Sequence, residues 1–242
     1  MSSARSEHRL LLANGEAVPL IVQRHARARQ MRLRFDGIAG RALLTIPARA
    51  ALKRALDWAG EQSGWIETQR GRAPDIVPLG DGVAVPVEGE MLRIVATGTP
   101  GRRIWREDDR LLVGGPADHA GPRVGRWLRA RAKAVLAAET QALAAAHGLP
   151  LRHVSIGDPR GRWGSCSARG DIRYSWRLIL APPAVRQATV AHEVAHLRHM
   201  HHGPAFHDLV RAISLADPEA ARQWLRREGA GLHRYRESGD GA

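Results

Sequence analysis

His192-Glu193-Val194-Ala195-His196 is an H-E-x-x-H sequence. On a helix, two histidines four residues apart project about 40° apart around the axis and about 6 Å apart along it, so both imidazoles reach one metal ion. Glu193 then places a carboxylate beside the water that such an ion activates. Composition alone would yield on the order of 0.03 such matches in a chain of this length. The surroundings sharpen the signal, because six of the 12 histidines fall between His192 and His207. The preceding segment, residues 182–191, opens on Pro182-Pro183 and carries Val185, Ala188, Val190 and Ala191. Proline in a first turn and apolar residues at these positions predict a helix that runs into the motif. The competing reading is a polar helix with surface histidines.

A catalytic zinc site of this kind takes a third protein ligand and leaves a fourth position for water. His199, His201, His202 and His207 compete for that role. His199 would lie about 10.5 Å along a straight helix from His192, too far for one ion. His202 falls six residues after His196, the third-ligand spacing of H-E-x-x-H-x-x-G-x-x-H zinc proteases. Gly203-Pro204 follows at once and turns the chain back. The glycine of that pattern is His199 here. His202 is the preferred third ligand. His207 or a more distant carboxylate is the alternative, and His201 reads as solvated or supporting.

Working outward, residues 16–47 read as short strands: Val18–Val22, Met31–Phe35 and Ala42–Ile46. Residues 49–71 read as one helix, with Leu52, Leu56, Trp58 and Trp65 on its core side. A Gly, Pro and Asp-rich loop spans 72–83. A second strand-rich stretch, 83–115, holds Met91–Val95 and Leu111–Val113. Arg123–His147 reads as an Ala-rich helix stopped by Gly148-Leu149-Pro150. A strand near Val154-Ser155-Ile156 and a second over Ile172–Leu180 are expected to pair antiparallel and to offer an edge to an extended peptide. Phe206–Val210 and Pro218–Arg226 read as closing helices. The expected fold class is therefore α+β, with a β-rich N-terminal region carrying one helix (1–117) and a catalytic domain (118–242). Arg160, Arg162, Ser165 and Tyr174 are candidate substrate or oxyanion contacts; a solvated loop or a structural hydrogen bond is the competing reading for each. Asp208 is read either as orienting a ligand imidazole or as a helix surface charge. Cys166 reads as a small packed residue, since the metal supplies the nucleophile.

Cys166 is the sole cysteine, which excludes an intramolecular disulfide and fits a reducing, cytoplasmic setting. The run Leu10–Ala13 is too short for a signal-peptide core, and no stretch reaches the roughly 18 apolar residues of a membrane span. The formal charge is +13, and Lys53 and Lys133 are the only lysines among the 37 basic residues. Arginines spread along the whole chain suggest at most weak, non-specific nucleic-acid binding; with no recognisable nucleic-acid motif, a codon bias toward Ala, Gly and Arg is the preferred explanation. Nothing in the sequence fixes an oligomeric state.

Arg162-Trp163-Gly164-Ser165-Cys166-Ser167, Gly170-Asp171-Ile172-Arg173, Leu178–Pro183, the H-E-x-x-H helix and His202-Gly203-Pro204-Ala205-Phe206 together resemble the YgjP-like metallopeptidase family. A weaker likeness extends to Arg27, Arg29, Met31–Arg34 and Ile46-Pro47. The H-G-P-x-F ending is also similar to SprT and WLM zinc proteases. The resemblance implies a zincin-like catalytic domain and a zinc-dependent hydrolase, most often a peptidase acting on peptide or protein substrates. It carries the ligand role to His192, His196 and His202 and the general-base role to Glu193, and it gives Trp163–Cys166 no role. Two rivals remain. Arg-rich loops beside a hydrolytic metal suggest a nucleotide phosphohydrolase. The charge and the SprT-like ending suggest a DNA-associated protease. A closed structural zinc module fits poorly, since three ligands and a basic Glu describe an open site.

Overall fold

A computed structural model describes residues 5–37, 39–71 and 75–237. The chain forms two compact units, residues 1–76 and 77–240. The division expected at 117/118 therefore falls inside the second unit. The reason is packing: the strands of residues 84–113 bury Val85, Leu92, Ile94 and Leu111 in the same core as the long helix and the H-E-x-x-H helix.

In the first unit, β1 (Arg5–Leu11), β2 (Ala17–His25), β3 (Arg32–Asp36) and β4 (Arg41–Pro47) form one sheet in the order β1-β2-β4-β3. β2 and β4 run parallel and the other pairs antiparallel. One face of β4 is fully buried at Ala42, Leu44 and Ile46, as period-two alternation requires. Ala55, Ala59 and Ile66 join this core from α1 (Leu52–Glu61) and α2 (Ser63–Gly71). The single helix read over 49–71 is thus two helices, broken at Gln62.

The second unit opens with β5 (Val77–Leu79). A four-stranded sheet follows, made of β6 (Ala84–Val87), β7 (Glu90–Ala96), β8 (Ile104–Glu107) and β9 (Arg110–Val113) in the order β6-β7-β9-β8. The long helix α3 (Ala120–Ala146) buries Val124, Leu128, Ala132, Leu136, Thr140 and Ala144, an i, i+4 stripe facing the core. β10 (His153–Gly157), β11 (Gly164–Cys166) and β12 (Asp171–Ser175) make a three-stranded sheet in the order β10-β12-β11. Its pairing corrects the expectation of a small antiparallel sheet. β10 and β12 run parallel, and only the short β11 lies antiparallel to β12. The expected strand over 172–180 ends at Ser175, because Trp176–Leu180 coils into a buried 3₁₀ turn.

The motif helix α4 (Pro183–Ala195) is followed by α5 (Pro204–Ile213), α6 (Pro218–Leu232) and β13 (Tyr235–Glu237). Two contacts pin α4. The buried Arg186 makes a bidentate pair with Glu139 of α3, at 2.8 to 3.1 Å. At its first turn, Pro183 abuts Gly89 of the β6–β7 turn so closely that a Cβ there would sit 2.9 Å from the proline ring. Among the described residues, no helix is long and apolar enough to cross a membrane.

Candidate metal centre

α4 is buried over most of its surface, Glu193 included, and His192 and His196, four residues apart, share one stripe of it with Val185 and Thr189. The helix stops at Ala195. The amides of Arg198 and His199 both fold back onto the Ala195 carbonyl. Gly203 and Pro204 then start α5 in a new direction. This reversal carries His202 back over α4. The ring nitrogens of His192, His196 and His202 lie within 4.8 Å of one another, and the Nε2 atoms of His192 and His202 are 3.2 Å apart. His199, in contrast, contributes its backbone: His196 Nδ1 donates to the His199 carbonyl at 3.0 Å. A carbonyl only accepts, so the proton is fixed on Nδ1 and the Nε2 lone pair is free to bind a cation.

The electrostatics agree with a cation site. Burial, then the neighbouring His196, His202, His207 and Arg222, push the His192 pKa down to about 4. His196 is lowered as well, chiefly by burial. Neutral imidazoles are the metal-binding form. Burial lifts the Glu193 carboxyl to about 7, with the Arg162 charge opposing; this is the usual range for a group that must both take and give a proton.

Phe206 packs beneath the whole cluster. Its ring centroid is 5.0 Å from His192, 4.5 Å from His196 and 4.7 Å from His202, and it is 1% exposed. Sequence reasoning placed Phe206 in a closing helix and missed this support. The available signal was an aromatic four residues after His202, in the first turn of α5.

The Trp163–Cys166 segment also gains a role. The Glu193 carboxylate lies flat against Gly164 of β11, where a Cβ would sit 2.4 Å from Oε1 and 2.6 Å from Cδ. Trp163 is locked by close packing on Gly229 of α6 and by its contact with His233, 5.5 Å between ring centres. Behind it, the buried Arg177 holds Asp158 at 2.8 and 3.0 Å and the carbonyls of Leu232 and Tyr235 at 3.0 and 2.8 Å, tying the loop before β11 to the end of α6.

The cluster opens into a cleft of about 650 Å³, lined by Arg162, Trp163 and Gly164 on one side and by α5 and α6 on the other. Of the expected polar contacts, Arg162 lines this cleft. Ser165 is half-buried in the middle of β11 opposite Arg173, away from the lining, and Arg160 is exposed outside it. Tyr174 departs from expectation: it is fully buried, its hydroxyl 3.1 Å from that of Thr140, and burial raises its pKa. It shares the inward face of β12 with Ile172 and does not reach the cleft. Asp208 pairs with Arg211 on the exposed face of α5, the surface-charge reading. His207 lines the cleft, and His201 is exposed. Cys166 is half-buried, and burial, then Glu193 and Asp171, push its thiol up to about 11, so it stays protonated.

The sequence pattern described as YgjP-like, metallopeptidase domain, matches residues 29–228. The chain belongs to the YgjP-like metallopeptidase family. No curated protein and no solved structure gives a match. Membership makes this chain a metal-dependent peptidase in general terms, and its three clustered histidines are side chains that could hold the ion.

Proposed function

We propose that this YgjP-like protein is a zinc-dependent peptidase in which His192, His196 and His202 hold the metal and Glu193 is the general acid-base. The observation that carries the reading is the convergence of three imidazoles beside a buried carboxylate, with His192, Glu193 and His202 lining a cleft. The donor set fits the ion. Two nitrogens of a tetrahedral zinc site with 2.0–2.1 Å bonds lie about 3.3 Å apart, close to the 3.2 Å between His192 and His202. Three imidazoles suit zinc among the divalent ions.

When bound, the ion acidifies water and polarises the scissile carbonyl. The chain's own residues supply the rest. His196 is held in one tautomer by the His199 carbonyl. The Glu193 carboxylate takes the proton of the attacking water and returns it to the departing amine nitrogen. Arg162 lines the cleft and its charge acts on Glu193, so its guanidinium would stabilise the developing negative charge. β11 is the outer strand of its sheet and borders the cleft through Gly164, so an extended peptide would pair with it and pass its scissile bond over Glu193.

Of the three arginines lining the cleft, Arg211 and Arg222 are paired with Asp208 and Glu219, which leaves Arg162 to meet the substrate's charge. The test is a panel of peptides and nucleoside triphosphates offered to zinc-loaded and chelator-treated protein. The expected result is zinc-dependent cleavage of peptides only. Zinc-dependent release of phosphate from nucleotides, with peptides untouched, would overturn the proposal.

A further inference from the structure

We propose that the first unit carries a binding groove for single-stranded nucleic acid, separate from the metal centre, built from Arg29, Arg49, Arg54 and Trp58. These residues surround an open cavity of about 560 Å³, with Met31 also in its wall. The three arginines come from three different places: the segment before β3, the loop between β4 and α1, and the first turns of α1. All three are exposed. Among the described residues, no carboxylate lines the groove. Asp57, one turn after Arg54, faces Lys53 instead, at 3.4 Å.

The groove is held in shape. Arg24 Nη1 donates to the carbonyls of Ala48 and Ala50 at 2.8 Å, which fixes the loop that carries Arg49. Trp58 is half-buried, packed on the core of the first unit through one part of the indole, and contributes its remainder to the groove wall. Arg32 and Arg34 continue the positive surface as exposed residues of the edge strand β3.

The occupant follows from this chemistry. Three guanidiniums without counter-charges call for a polyanion. A flat indole beside them adds a stacking surface that a nucleobase uses and an acidic peptide does not. At about 560 Å³ the cavity is of small-ligand size, the scale of a splayed nucleotide rather than of a duplex.

The experiment is fluorescence anisotropy of a labelled oligothymidylate with the full-length protein over a salt series. Three phosphate contacts predict a slope of log K against log salt of about −2, at roughly −0.7 per contact on a single strand. Arg49→Glu/Arg54→Glu should weaken binding more than tenfold and flatten the slope. Arg126→Glu/Lys133→Glu, which changes the same charge on exposed positions of α3, should leave affinity within about threefold. Trp58→Leu keeps an apolar residue against the core and should weaken binding about 5- to 150-fold, the range of a lost base stack. Equal losses in the two charge-reversal variants would overturn the proposal. So would unchanged binding in Trp58→Leu with its thermal midpoint preserved, binding of a polyglutamate peptide or of thymidine triphosphate as tight as that of the oligonucleotide, or no binding at all.

Discussion

Replacing Gly164 with alanine tests whether β11 seats the Glu193 carboxylate. A Cβ at this position would stand 2.4 Å from Glu193 Oε1 and 2.6 Å from Cγ and Cδ, where real contacts stay above 3.0 Å. The carboxylate must retreat by roughly 1 Å to reach ordinary van der Waals separation. It has little room, because Glu193 is 5% exposed and α4 is pinned by the Arg186–Glu139 pair. Gly164 lies outside the left-handed backbone region, so alanine adds no backbone strain and the effect isolates the side-chain collision. A misplacement of about 1 Å at a reacting group lowers turnover by about 10²-fold. Overpacking of about 1–3 kcal/mol should lower Tm by roughly 2–10 °C. The assay is steady-state peptide hydrolysis together with metal content and a thermal melt. A Gly164→Ala protein with reduced kcat, similar KM and a full complement of metal is the expected outcome. Wild-type kcat would refute the seating argument, and loss of metal would show that β11 supports the imidazoles instead.

Three further outcomes are expected. His202→Ala should reduce bound zinc well below one ion per chain while leaving the circular dichroism unchanged; full stoichiometry would place the third ligand elsewhere. Tyr174→Phe should leave turnover intact and cost about 1 kcal/mol of stability through the lost Thr140 hydrogen bond; a large drop in kcat would return Tyr174 to the cleft. Burial would raise the Asp158 carboxyl, but the hydrogen bonds and charge of Arg177 outweigh it, and the net pKa is lowered. Its stabilising effect is thus complete above the unfolded carboxylate value of about 3.9 and fades as pH falls through the lower folded value. Thermal melts from neutral to acid pH should therefore show Asp158→Asn losing less stability than wild type below about pH 4; parallel curves would count against the Arg177–Asp158 link.

What could be read from sequence was what lies close in sequence. The clustering of His192 with His196 follows from helical spacing, and that of His202, six residues after His196, from the Gly203-Pro204 break that follows it. What escaped was carried by distant contacts. The fit of Gly164 under Glu193 spans 29 positions and leaves no local periodicity. The parallel pairing of β10 with β12 depends on the crossover through β11, which three half-buried residues do not announce. The strand-rich composition continues without a break to Val113, yet the strands of residues 84–113 share one core with α3. Tyr174 was within reach: Ile172 and Tyr174 alternate with Arg173, and alternation puts the apolar pair inside.

The most direct test of the account is paired metal analysis and peptide turnover on wild-type and Glu193→Gln protein. The account predicts one zinc per chain in both, with turnover lowered about 10²- to 10⁴-fold in the variant, the range expected for loss of a general acid-base. A fully active Glu193→Gln protein, or a wild-type protein that hydrolyses peptides without bound metal, would contradict it.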